Sequence, residues 1–162
     1  MEPLLAARRD LPDLPEEVFT LWLDDHVRSH GWPPLGPDWD RILLGRRLAF
    51  WKGLRWLKQS VLLSPEDMAP TSLAAALRIL DASVRAGPPQ GDDPLEELRA
   101  FIASHGTLPA PLVLVSTLDG YDVADGNRRI AAMLDLAVRR GIKPGTEFVP
   151  RRVEAWIGAI RA

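Results

Sequence analysis

The stretch best suited to chemistry is Asp125-Gly126-Asn127-Arg128-Arg129, with Tyr121-Asp122-Val123-Ala124 before it and Ile130-Ala131-Ala132 after it. A strand-forming run reaches the glycine, and a helix-forming run begins directly behind it. The first amides of such a helix have no acceptor within the helix and point outward. The helix dipole adds about half a positive charge at that end. Glycine leaves a ligand room to approach the backbone. Arg128 and Arg129 add two cations able to grip an oxyanion through forked N–H donors. Together Asp125, Gly126, Asn127, Arg128 and Arg129 form a candidate anion site, most naturally for phosphate. Cations in a first helical turn oppose the dipole, at roughly 0.3–1 kcal/mol each. Two reasons for them stand open. Either a phosphate is held, with Arg129 as its main contact, or Asp125 caps the helix and pairs with an arginine.

Other groups invite weaker readings. His26 and His30 are four residues apart on a predicted helix, a spacing that suits two metal ligands, with Asp25 close by, but the rest of a metal pattern is missing. Asp24-Asp25 and Asp92-Asp93-Glu96-Glu97 read as magnesium ligands or a base, or as caps and solvated faces. Asp119 and Asp122 read as turn chemistry. Between Arg41 and Lys58 lie six basic residues and no acid, with Trp51 and Trp56 interleaved. That pattern suits a nucleic-acid backbone, or an amphipathic helix whose arginines face water and whose indoles fill the core.

Caps and periodicity give the elements that must hold the motif. Asp13-Leu14-Pro15-Glu16 opens a helix predicted to run to about Ser29. Gly31-Trp32-Pro33-Pro34-Leu35-Gly36-Pro37 is a connector without regular structure, with Trp32 or Trp39 packed on the core. Residues 38–58 are predicted helical, interrupted at Gly45 and Gly53. Ser60-Val61-Leu62-Leu63 is a short strand. Thr71 caps a helix with Leu73, Leu77, Leu80 and Val84 on one face, ended by Gly87, and 87–93 is a loop. Asp93-Pro94-Leu95-Glu96 opens a helix with Leu95, Leu98 and Ile102 buried, ended by Gly106. Leu112–Val115 and Tyr121–Ala124 are strands joined at Asp119-Gly120. The helix from Asn127 buries Ile130, Leu134, Ala137 and Val138 and ends at Gly141 and Pro144. Phe148-Val149 and Val153–Ile157 form a last strand, broken at Pro150. The fold class is therefore α/β (α+β): a small mixed sheet with helices in residues 59–162, preceded by a helical region in 1–58.

The whole-chain arithmetic agrees with that reading. A length of 162 residues is about one domain, and 46% hydrophobic residues is an ordinary globular content. The formal charge is 20 − 22 = −2, so the chain is no polycation. It has no cysteine, which excludes disulfides, thiolate metal sites and cysteine nucleophiles. No apolar run reaches the roughly 18 residues of a membrane span, and Met1-Glu2-Pro3-Leu4-Leu5 lacks the start of a signal peptide. The expected location is cytoplasmic. Five of the six tryptophans lie before residue 57, which suggests a protein-binding role for the N-terminal region.

Over residues 94–136 the chain resembles the ParB/sulfiredoxin superfamily. The likeness rests on the helix from Leu95-Glu96-Glu97-Leu98 and the loop and strand Gly106-Thr107-Leu108-Pro109-Ala110-Pro111-Leu112-Val113. The hairpin follows, then Asp125-Gly126-Asn127-Arg128-Arg129 running into Ile130-Ala131-Ala132-Met133, where the superfamily carries a Gly-x-x-Arg signature. The resemblance implies that this signature binds nucleotide phosphates, usually with Mg2+. Gly126 would allow the close approach, Arg129 matches the arginine common to all versions, and Arg128 matches the second basic position of the ParB form. Asn127 departs from the family's glutamate, cysteine or histidine. The sulfiredoxin reaction is excluded, because there is no cysteine. About 20 residues follow Arg140, too few for the helix-turn-helix region of ParB. The expected function is a nucleotide-binding, phosphate-binding domain, with nucleotide hydrolysis or phosphotransfer as the implied reaction. The alternatives are a DNA-binding ParB-like module on backbone phosphates, or a protein-interaction adaptor.

Overall fold

The computed structural model describes residues 2–86, 93, 95–139 and 148–161. Four strands, β1 (Leu54–Leu62), β2 (Leu112–Thr117), β3 (Gly120–Asp125) and β4 (Arg152–Ile160), form one sheet in the order β1-β4-β2-β3. The β1/β4 and β2/β3 pairs are antiparallel and β2/β4 is parallel. Leu112 and Leu114 pack into one apolar cluster, Val113 and Val115 into another. A strand apolar at consecutive positions is what a sheet covered on both faces requires.

One face is covered by α6 (Pro70–Ala86), α7 (Glu96–His105) and α8 (Asn127–Arg139). The other is covered by α1 (Pro3–Asp10), α2 (Glu16–Val18), α3 (Asp24–His30), α4 (Pro37–Ile42) and α5 (Leu48–Lys52). A π-helical turn, Phe19–Leu23, joins α2 to α3. Trp22, Trp39 and Trp51 are buried in this second cluster, and Trp32 meets Trp39 edge-on at 5.4 Å. The indoles of the N-terminal region thus build a core. Among the described residues no helix is long and apolar enough to cross a membrane.

The expected mixed sheet, the hairpin and the junction into α8 are present, and Gly106 closes α7 in the left-handed conformation. Several expectations are corrected. The helical stretch expected over 38–58 is two short helices, and residues 54–58 belong to β1. There Leu54 and Trp56 pack into the N-terminal cluster while Arg55 and Leu57 face the other way, a period of two. The border expected at residue 58 lies inside this strand. The buried side of α6 is Ser72, Ala76 and Ser83, with Ile79 half-buried, so Leu77 and Val84 are exposed. That rotation is set by Ser72 and Ser83, which donate to Asp122 and Asp93. Thr71 lies in the first turn of α6, not at its cap, and also donates to Asp122. Val138 is exposed, and Phe148-Val149 is not strand. The expected loop at 87–92 and the roles of Gly87, Pro94, Gly141 and Pro144 lie outside the described residues.

Candidate functional site at the start of helix α8

The motif sits where β3 ends and α8 begins. The β2/β3 register passes from Leu114↔Val123 to Val113↔Asp125, so Ala124 is an extra residue, a β-bulge. Cross-strand partners share a face. The bulge therefore puts Asp125 on the side of Val113, facing the N-terminal helices, where strict alternation from Val123 would have put it on the other. Gly126 follows with φ +116°, a conformation that side chains rarely adopt. A Cβ there would come within 2.5 Å of Leu112 Cδ2 and 3.3 Å of Arg129 Nη2. The glycine is thus required by backbone and core packing, in addition to any ligand.

Ala124 through Arg129 line one side of a cavity of about 490 Å³. The size falls within the roughly 300–1,000 Å³ of small-molecule sites. Ile79, Leu98 and Pro109 supply apolar wall, and His26 of α3 lines the cavity as well. The N-terminal region therefore contributes to a site that the sequence placed wholly within 59–162. In the sequence His26 carried a signal only through its spacing to His30, which pointed to a metal pair and not to this cavity.

The two arginines part company. Arg129 is nearly buried, its side chain 12% exposed. Its Nη1 donates to the carbonyls of Ala110 (2.9 Å) and Pro111 (2.6 Å), and its Nη2 to Asp125 Oδ2 at 2.5 Å. This is the ion-paired alternative, extended into a clamp on the loop that leads into β2. Arg128 is exposed and has no ion-pair partner among the described residues. Asn127 Oδ1 is buried without a hydrogen-bond partner. The first-turn amides of Asn127, Arg128 and Arg129 have no acceptor within the helix, whose first bond is Ile130 N–H to Gly126 O.

Two titratable groups face the cavity. Burial pushes the Asp125 carboxyl up, although Arg129 and His26 pull it down. Burial pushes His26 down, and His30 and Arg41 add to this, against the carboxylates of Asp125 and Asp25. Among the described residues Asp125 is the sole carboxylate lining the cavity, and Arg129 occupies it. The residues present do not fit a protein-held Mg2+, and among the described residues no group of three potential ligands comes together elsewhere. A metal at this site would have to arrive on the phosphates of its ligand.

Several of the remaining candidates make contacts that hold the fold together, and Asp92 lies outside the described residues. The rings of His26 and His30 stack at 6.2 Å, and His30 faces Asp38 at 3.6 Å. Arg46 pairs with Asp122 at 2.8 Å, Lys58 with Glu17 at 2.9 Å and Arg41 with Asp38 at 3.4 Å, so the cations of 41–58 do not share one face. Asp122, read as a turn residue, is a buried hub between Ser72 and Thr71 of α6 and Arg46 of the N-terminal region. Asp93 accepts from Ser83, Leu95 N–H and Arg99, and Arg99 reaches on to Asp135 at 2.8 Å. That chain ties α6, α7 and α8 together.

Comparisons with protein-family models, with curated proteins and with solved structures found no match.

Proposed function

We propose that this chain is a cytoplasmic nucleotide-binding protein that holds the phosphate of a nucleoside phosphate at the start of α8. One observation carries the reading: residues 124–129 together wall a cavity of ligand size, with Arg128, which has no ion-pair partner among the described residues, at a helix N-terminus. Phosphate oxygens would meet the amides of Asn127, Arg128 and Arg129 and the guanidinium of Arg128. Arg129 would position the site by fixing Asp125 and the 110–111 loop. The orphaned Asn127 Oδ1 is an acceptor available to a sugar hydroxyl or a base amine. The apolar wall suits the uncharged part of the ligand. The likeness of residues 94–136 to the ParB/sulfiredoxin superfamily points the same way. Hydrolysis or phosphotransfer here would draw on Asp125 or His26 as the base, since these are the titratable groups at the cavity.

A thermal-shift screen of nucleoside mono-, di- and triphosphates, with and without magnesium, tests the proposal. A ligand at 100 times its Kd stabilises the folded state by about 2.7 kcal/mol, which raises Tm by several degrees. At least one nucleotide should do so in the wild type, and at the same concentration stabilise Arg128→Ala by only about 0.4–1.4 kcal/mol. No shift with any nucleotide would overturn the reading.

A further inference from the structure

A second surface stands apart from this cavity and from the phosphate reading. β1 pairs with β4 without interruption from Leu54↔Ile160 to Leu62↔Arg152, and among the described residues it has no ladder partner on its other side. An edge strand of nine residues with no bulge and no proline offers a row of N–H and C=O groups that meet no neighbouring strand among the described residues, with the Ser60 carbonyl alone accepting from Arg152 Nη1 at 3.4 Å. Next to that edge the sheet carries a groove of about 650 Å³, with Arg55, Leu57 and Gln59 of β1 facing Ile157, Ile160 and Arg161. Leu57 and Ile157 are register partners, so they share a face and form the apolar centre. Leu57 is 48% exposed and Ile160 70%.

The charge of the groove is one-sided. Among the described residues its lining holds two arginines and no carboxylate, in a chain of net charge −2. Arg55 has no ion-pair partner among the described residues, and Arg161 has only the exposed Asp13, at 3.2 Å. A second copy of the chain would bring Arg55 of both β1 strands together along a strand that holds no acid, where like charges repel, while Lys58 on the opposite face is already paired with Glu17. A nucleic acid would meet an aliphatic centre, because Trp56 packs into the cluster on the opposite face of the sheet.

We propose that the β1 edge binds an extended acidic segment of another protein, which adds to the sheet as a fifth strand. A carboxylate of that segment meets Arg55 and Arg161, and two residues along an aliphatic side chain meets Leu57. The main-chain bonds supply affinity, and the period of two supplies specificity.

The probes are three fluorescein-labelled ligands followed by anisotropy on the full chain. They are the peptide Thr-Glu-Thr-Val-Thr-Glu-Thr, its counterpart Thr-Lys-Thr-Val-Thr-Lys-Thr, and a single-stranded oligothymidine. The acidic peptide should bind with a Kd no weaker than about 1 mM, and the basic peptide should not. Hydrogen exchange of 54–62 should slow in the bound state. Arg55→Glu, an exposed substitution, should weaken binding about three- to tenfold, while Arg78→Glu on α6 should leave it unchanged. Failure of the acidic peptide to bind, or equal binding of the basic one, would overturn the proposal. So would binding of oligothymidine alone, or a concentration-dependent dimer with 54–62 protected.

Discussion

Arg129→Ala removes a guanidinium that holds three acceptors at once. The carbonyls of Ala110 and Pro111 lose their donor, and Asp125 is left as a partly buried charge without its partner. Breaking a fully buried pair costs about 3–5 kcal/mol, and hydrogen bonds to a charged group contribute about 1.5–3 kcal/mol each. The Asp125 side chain keeps 29% exposure, so water recovers part of this loss. We expect destabilisation of about 2–4 kcal/mol, set against a total of roughly 5–15 kcal/mol. At about 2–4 °C per kcal/mol for a chain of this length, Tm should fall by about 5–15 °C.

The pH dependence of that deficit follows from Asp125. Its folded-state pKa lies above the ordinary 3.8 because burial prevails, so stability falls as pH rises from 3.8 through the folded value. Without Arg129 the folded value rises further and the window extends upward. The deficit should therefore be smaller at pH 4 than at pH 7. Asp125→Asn combined with Arg129→Ala should cost clearly less than the two single losses summed, because the two side chains share one interaction. Circular dichroism melts of the three variants across that pH range read all of this. An unchanged Tm together with lost nucleotide affinity would refute the clamp and return Arg129 to direct ligand contact.

Other expectations are narrower. Arg128→Ala should weaken nucleotide binding by about tenfold to a hundredfold in calorimetric titration, the loss of one charge-assisted hydrogen bond; its Tm should hold or rise slightly, since a cation leaves the positive end of α8. Asp122→Ala should cost about 3–5 kcal/mol in urea denaturation, because Arg46 is left partly buried with its Nη1 already without a partner. Gly126→Ala should cost at least about 1–3 kcal/mol from its positive φ alone, with a clash on Leu112 added. Arg99, Ser83 and the Leu95 amide hold the Asp93 carboxyl down to about 2, so its contribution is present above pH 3.8 and lost as pH falls from 3.8 toward 2. Acid unfolding of Asp93→Ala should lack that slope.

The elements around the motif were legible where one periodicity dominated. Alternation, the turn residues near Asp119-Gly120 and the helix from Asn127 each point to a single local structure, and the hairpin and α8 form, with the turn itself one residue earlier at Leu118-Asp119 because Gly120 already pairs with Thr117. Residues 54–58 were not legible, because Leu54 and Leu57 fit a helical stripe while Leu54 and Trp56 fit a strand, and only the β4 pairing decides between them. The direction of Arg129 was hidden for another reason. Its acceptors include main-chain carbonyls 18 and 19 residues away, and a carbonyl leaves no mark in the residue types. Asp122 read as a turn residue because its partner Ser72 lies 50 residues upstream. The bulge at Ala124, which turns Asp125 toward His26, has no signal of its own, since alanine is compatible with either face.

The central claim is that phosphate is held by the first turn of α8. Amide-resolved proton–nitrogen NMR, with the best nucleotide of the screen titrated into wild type and Arg128→Ala, tests it most directly. The backbone amides of Asn127, Arg128 and Arg129 should move together in the wild type, saturate with one affinity, and need about ten to a hundred times more ligand in the variant. Shifts confined to other parts of the chain, or the same response in Arg128→Ala, would contradict it.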